Sequence, residues 1–160
     1  MMADQKEFLE QAGWVFEHSP WVAERASAGA PFASTKAMHA AMVEVVEQAT
    51  QVEQLALIRA HPDLGARAKM SEASVDEQAG AGLNQLTAEE FETLHRMNTE
   101  YKNKFGFPFI YAVKGSTKHD VLRALAARIG NTLEDEHRTA LQQIARIAWF
   151  RLEEIYKETA

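Results

Sequence analysis

The stretch "LEDEHRTALQQIARIAWFRLEEIYKE", Leu133 to Glu158, decides the fold class. Leu141, Ile144, Ala145, Ala148, Leu152 and Ile155 recur in it at three- and four-residue steps, the spacing that lines one face of an α-helix. Thr132 with Asp135 marks its start, and the acidic residues of "LEDEHR" favour a helix N-terminus. Its neighbours decide whether such a helix packs on a sheet or on other helices.

Working outward, the neighbours are helical too. Thr87 and Glu90 form a capping-box signature ahead of "AEEFETLHRMNTEYKNKF", with Phe91, Leu94, Met97, Asn98 and Tyr101 in register. Ser34 to Ala49 places Met38, Ala41, Met42, Val45 and Val46 on one face, and "QVEQLALIRAH" does the same with Val52, Leu55 and Ile58. Phe8, Leu9, Ala12, Val15 and Phe16 predict an opening helix over "QKEFLEQAGWVFEHS". In "SPWVAERASAGAP", Ser19 is the expected N-cap, Pro20 the first helical position, and Gly29 and Pro31 the end. Ser116 or Thr117 caps "KHDVLRALAARIG", which Gly130 closes.

One run departs from this pattern. In "GFPFIYAVKGS", Gly106 and Pro108 punctuate a crowd of aromatic and β-branched residues, which reads as one short strand or a buried extended segment. No strand alternates with helices and no internal repeat is visible. The expected architecture is therefore all-α, a single compact irregular helical bundle over residues 1–160 with one short extended segment.

Composition bounds the function. Hydrophobic residues at 46% and charged residues at 25% suit a globular domain, and the apolar runs are too short to span a bilayer. Seventeen basic against 23 acidic residues give a net charge of −6 without a basic stripe, which disfavours nucleic acid as a partner. The absence of cysteine excludes thiol catalysis, disulfides and cysteine-based zinc sites within the chain, and fits a reducing compartment. Acidic residues early in "MMADQKEFLEQAGWVF" give no secretory signal, and "KETA" is not a Ser-Lys-Leu-type address, so a cytoplasmic location is expected.

The candidate chemistry gathers in "RAHPDLGARAKMSEASVDEQAGAGL", Arg59 to Leu83. His61 precedes Pro62, which biases it away from helical backbone, to the point where a helix ends and its imidazole projects either into a cleft or onto its own helix carbonyls. Ser74, Glu77 and Gln78 fit a second capping box, or else a carboxylate and an amide that read a small polar ligand. Gly80 and Gly82 lack the strand and the Lys-Ser or Lys-Thr of a phosphate loop, so they permit close backbone packing or a turn. The remaining histidines show no metal-ligand spacing, and no metal is expected. Arg151, between Phe150 and Leu152, is either a snorkelling surface residue or an inward, fixed cation for a carboxylate or oxyanion.

Together, "HSPWVAERA", "LIRAHPDLGARA", "SVDEQAGAGL", "MNTEYKNKFGFPFIYAVKG" and "IARIAWFRL" resemble the 2-oxo-4-hydroxy-4-carboxy-5-ureidoimidazoline (OHCU) decarboxylase family of urate degradation, from about Phe8 to Tyr156. The resemblance implies an all-α domain, usually a homodimer, acting on a small-molecule substrate without metal or organic cofactor. It makes His61 the catalytic histidine and Glu77 the residue that orients the reactive groups. Pro62, Ser74, Gln78, Arg151 and the run Phe109, Ile110, Tyr111, Ala112 and Val113 are implied to line the substrate pocket. The competing readings are a decarboxylase of a related ureido acid and a non-catalytic helical ligand-binding module.

Overall fold

The computed structural model describes residues 4–65 and 72–156; Lys157 and Glu158, assigned above to the last helix, lie outside them. Among the described residues the chain forms eight α-helices and one 3₁₀ turn, with no strand. It divides into two compact units, one drawn from the chain up to Ala60 and from Ala145 onward, the other from His61–Ile144.

In the first unit, Asp4 caps α1 (Gln5–Ala12), accepting from the Glu7 N–H at 2.9 Å. The periodicity expected to run on to Phe16 stops at Gly13, yet Val15 and Phe16 are still buried, so their apolar character reports core placement and not helix. Pro20 precedes α2 (Trp21–Ala26), which has no side-chain cap; the Ser19 hydroxyl expected there donates instead to the Glu17 carbonyl at 2.9 Å. A 3₁₀ turn over Ser27–Gly29 follows. Ser34 caps α3 (Thr35–Gln48), which buries Met38, Met42 and Val46, four residues apart on one face. A Thr50/Glu53 capping box opens α4 (Gln51–Arg59).

Helix α4 corrects one expectation. Leu57 and Ile58 are its fully buried residues, whereas Val52 is 77% exposed. At about 100° per residue, Val52 lies roughly 120–140° around the helix from both, and so faces away from the core they define.

The second unit holds α5 (Glu72–Gly80), α6 (Ala88–Phe105), α7 (Lys118–Arg128) and the first half of α8 (Leu133–Tyr156). The Thr87/Glu90 box opens α6 as expected, and Gly106 ends it in the left-handed conformation, φ +79°. Residues 107–113 are extended without being a strand, and Phe107, Phe109, Ile110, Ala112 and Val113 are buried. The Tyr101 ring lies 4.5 Å from Phe105, 6.0 Å from Phe107 and 5.4 Å from Phe109, centroid to centroid. Thr117, not Ser116, caps α7 with Asp120.

The buried row of α8 is Glu136, Ala140, Ile144, Ala148, Leu152 and Tyr156, with Arg151 beside it. Ile144, Ala148 and Leu152 match the apolar stripe read from the sequence; Leu141, Ala145 and Ile155 are only half-buried. Two charged residues share the inward face, and both become central below.

Candidate active site

His61 sits immediately beyond α4, 8% exposed, at the head of a turn that runs through Pro62 to Gly65. Two side chains fasten the far end of that turn. Gln78 Oε1 accepts from the Gly65 N–H at 2.8 Å, and Asn98 Nδ2 donates to the Leu64 carbonyl at 3.1 Å. At the surface, Lys102 Nζ lies 3.4 Å from Asp63 Oδ2. Gly65 has φ +72°, a conformation that favours glycine, and a Cβ there would come 2.5 Å from Leu94 Cδ2, so that methyl would have to shift.

The Ser-x-x-Glu-Gln cluster corrects another expectation. Ser74 is not an N-cap: α5 has begun by Glu72, and Ser74 is its third described residue, 5% exposed. A Ser/Glu pair three apart describes a capping box and an interior helical face equally well, which is why the sequence misleads. On the helix, Ser74 and Gln78 stack one turn apart on the inward face, with Glu77 half-buried beside them, while Val75 and Asp76 are exposed. Gly82 turns the chain after α5 with φ +83° and no neighbour within 4 Å of a Cβ, so it serves a turn and not close packing.

Extended residues 109–113 need partners for the polar backbone that a helix would satisfy internally. Side chains of α7 and α8 supply some of them. Arg128 Nη1 donates to the Ile110 carbonyl at 2.6 Å, and Gln143 Oε1 accepts from the Ala112 N–H at 2.9 Å. The Arg128 guanidinium also lies over the Phe109 ring, 4.4 Å from its centroid. The Tyr111 hydroxyl pairs with Ser116 Oγ at 2.9 Å.

Behind Arg128 stands Glu136, which sequence reasoning took for a helix-start residue; it is fully buried. Its Oε1 accepts from the Tyr101 hydroxyl at 2.5 Å and from Arg128 Nε at 2.9 Å, and its Oε2 accepts from Asn131 Nδ2 at 2.8 Å. Burial and the hydrogen bond to this carboxylate push the Tyr101 phenol well above its usual range, so it stays a donor. The available signal was its phase: Glu136 lies four residues before Ala140 and eight before Ile144.

Arg151 belongs to the other compact unit and points inward, 4% exposed. Its Nη2 lies 3.0 Å from Glu17 Oε1, and its Nη1 donates to the Val15 carbonyl at 3.2 Å. Of the two sequence readings, the snorkelling one falls. Glu17, only 1% exposed, was missed, because in a helix continuing past Gly13 nothing singles it out. Among the described residues, no cluster of His, Asp or Glu converges to hold a metal ion, and no helix is long and apolar enough to cross a membrane.

Comparison with known proteins adds a second line of evidence. The model of the OHCU decarboxylase family matches residues 2–153. An OHCU decarboxylase of Haloferax volcanii is 44% identical over 151 residues, covering 94% of this chain and 90% of that protein. The uric acid degradation bifunctional protein of Bacillus sp. strain TB-90 is 46% identical over 152 residues, 95% of this chain but only 30% of that longer protein. A crystal structure of OHCU decarboxylase, solved in the presence of (S)-allantoin, superposes with a TM-score of 0.76 at 25% identity, covering 89% of this chain and 95% of that one. The all-α fold, the motifs and the full-length match agree: the chain belongs to the OHCU decarboxylase family.

Proposed function

We propose that this protein decarboxylates OHCU to (S)-allantoin, with His61 as the general acid/base. The observation that carries the reading is the turn from His61 to Gly65, bonded through Gln78 to the inward face of α5 that also bears Ser74, with Glu77 half-buried beside them. Family membership over nearly the whole chain supports the substrate.

The chemistry asks little of a cofactor, because the substrate holds its own electron sink. Its carboxylate and hydroxyl share a ring carbon next to a C=N bond. As CO2 leaves, the electron pair of the broken C–C bond forms a C=C bond within the ring, and the imine π electrons move onto nitrogen, which takes a proton. The resulting enol then loses its hydroxyl proton and accepts one on the neighbouring ring carbon, from one face only. His61 moves these protons, Glu77 fixes the imidazole or the substrate hydroxyl, and Gln78 reads ring or ureido amides. Pro62, Ser74 and the Phe109–Val113 backbone shape and bond the rest of the substrate, and Arg151 holds an oxyanion. That last placement matters: a cation that gripped the departing carboxylate would stabilise the ground state and oppose loss of CO2. The reading extends to a homodimer in the cytoplasm, the dimer being tested by a solution mass near twice 17.9 kDa.

The test generates OHCU in place from urate and follows allantoin by circular dichroism. Rapid growth of an (S)-allantoin signal is expected, against racemic product from spontaneous decay. His61→Asn should fold normally and lose about 100- to 10,000-fold in turnover, the usual weight of a general acid/base. Wild-type turnover by that variant would refute the assignment, and a wild-type protein that leaves the spontaneous reaction unchanged would refute the function.

A further inference from the structure

Glu17 is the one acidic side chain buried against Arg151 among the ion pairs described for its unit, and it reaches that position from outside any helix. The segment between α1 and α2 is built around this contact. Val15 turns its carbonyl to Arg151 Nη1 at 3.2 Å. The buried Ser19 hydroxyl donates to the Glu17 carbonyl at 2.9 Å, fixing the backbone on which the carboxylate hangs. His18, next in sequence, adopts φ +46°, a left-handed conformation that costs a non-glycine residue energy and persists only where its surroundings impose it. With its side chain 60% exposed, His18 gains no burial in return. Trp14 lies over the guanidinium, its ring centroid 5.7 Å from Arg151 Cζ. Carbonyl, carboxylate and ring thus all meet at one cation.

We infer that Glu17 is a positioning residue for the decarboxylation: it sets the direction and the effective charge of Arg151. The inference rests on the reading of Arg151 as a substrate contact. A buried guanidinium without a counter-charge would be a strong anion trap, and the strongest anion it meets is the substrate carboxylate, whose charge disappears as CO2 departs. Binding of that kind deepens the ground state more than the transition state. A fixed carboxylate on Arg151 weakens the grip and confines the cation to one orientation, so that its field falls on the oxyanion.

The experiment is a double-mutant cycle on the full chain in the OHCU assay, reading kcat and KM separately, with folding checked by far-ultraviolet circular dichroism. Glu17→Gln keeps shape and removes charge. Its kcat should fall about 10- to 100-fold, as for a misdirected reactive group, while KM does not rise. Arg151→Gln should lower kcat and raise KM. Combined, the two changes should cost no more in kcat than Arg151→Gln alone within about twofold, because a residue acting only through another has nothing left to act on. Glu17→Asp should recover part of the lost kcat, and it takes the place of Glu17→Gln in the cycle if the latter does not fold.

Failures separate cleanly. A wild-type protein without activity overturns the functional reading. Wild-type kcat in Arg151→Gln overturns the role of Arg151 and this inference with it. With both of those as expected, an unaltered kcat in Glu17→Gln, a loss expressed only as raised KM, or effects that multiply in the double variant overturn the inference alone.

Discussion

Gly65 shows how much of a site can hang on one position. Its φ of +72° strains any other residue, a Cβ would displace the Leu94 Cδ2 methyl 2.5 Å away, and its N–H makes the bond that ties the His61 turn to Gln78. Gly65→Ala should therefore cost about 1–2 kcal/mol for the left-handed backbone alone, more for the clash, and should depress turnover along with stability. Urea denaturation measures the first and the OHCU assay the second; a variant unaltered in both would mean the turn re-forms without that conformation. His18 makes the opposite case: its side chain is 60% exposed, with Nε2 3.7 Å from Glu17 Oε2, and it is the backbone that is unfavourable. His18→Gly should hold or raise stability, whereas a β-branched His18→Val should lower it by about 1 kcal/mol or more. A urea midpoint higher for valine than for glycine would contradict this. The sequence displayed His61 at a helix end, since the following proline acts on local backbone. It did not display the left-handed conformation of His18 or of Gly65.

Helices were legible wherever a cap and an apolar phase agreed, as at Thr87 with Leu94 and at Thr132 with Ile144. They misled where a polar pair had two geometric meanings, as in Ser74 and Glu77. The segment from Phe107 to Val113 could be read as non-helical from its glycine, proline and aromatics, but not what would bond its backbone, because Arg128 and Gln143 approach from other elements. Glu136→Ala should be among the most destabilising single changes in the chain, about 3–5 kcal/mol, because it strips a buried partner from Arg128 and Tyr101. A loss below about 1 kcal/mol in chemical denaturation would show the cluster to be tolerant of an uncompensated guanidinium. Between α6 and α7, Lys118 and the capping N–H of Thr87 hold the Glu90 carboxyl at about 2, down from 4.5. A carboxylate depressed on folding adds stability that is complete above its unfolded value and is lost as pH falls through the folded one. Stability should thus decline between pH 4.5 and about 2, and Glu90→Gln should flatten that decline in denaturation curves taken across the window. Parallel slopes for the two proteins would reject it.

For the molecule as a whole, the all-α class followed from repeated helical phase, and the candidate site from motifs that are individually weak and informative only in combination. Ion pairs such as Glu17 with Arg151 and Glu136 with Arg128 were invisible, since a charged residue on a buried face looks the same in sequence as one on a solvated face. Two of the stretches proposed to carry the site, His61 to Gly65 and Phe109 to Val113, have backbone groups bonded by side chains, and this has a signature in exchange with heavy water. The Gly65 and Ala112 amides, each donating to a glutamine side chain, should exchange slowly although neither lies in a helix. Deuterium uptake at those two amides would then report, without substrate, whether each irregular segment is still fastened to the helix that bears its glutamine.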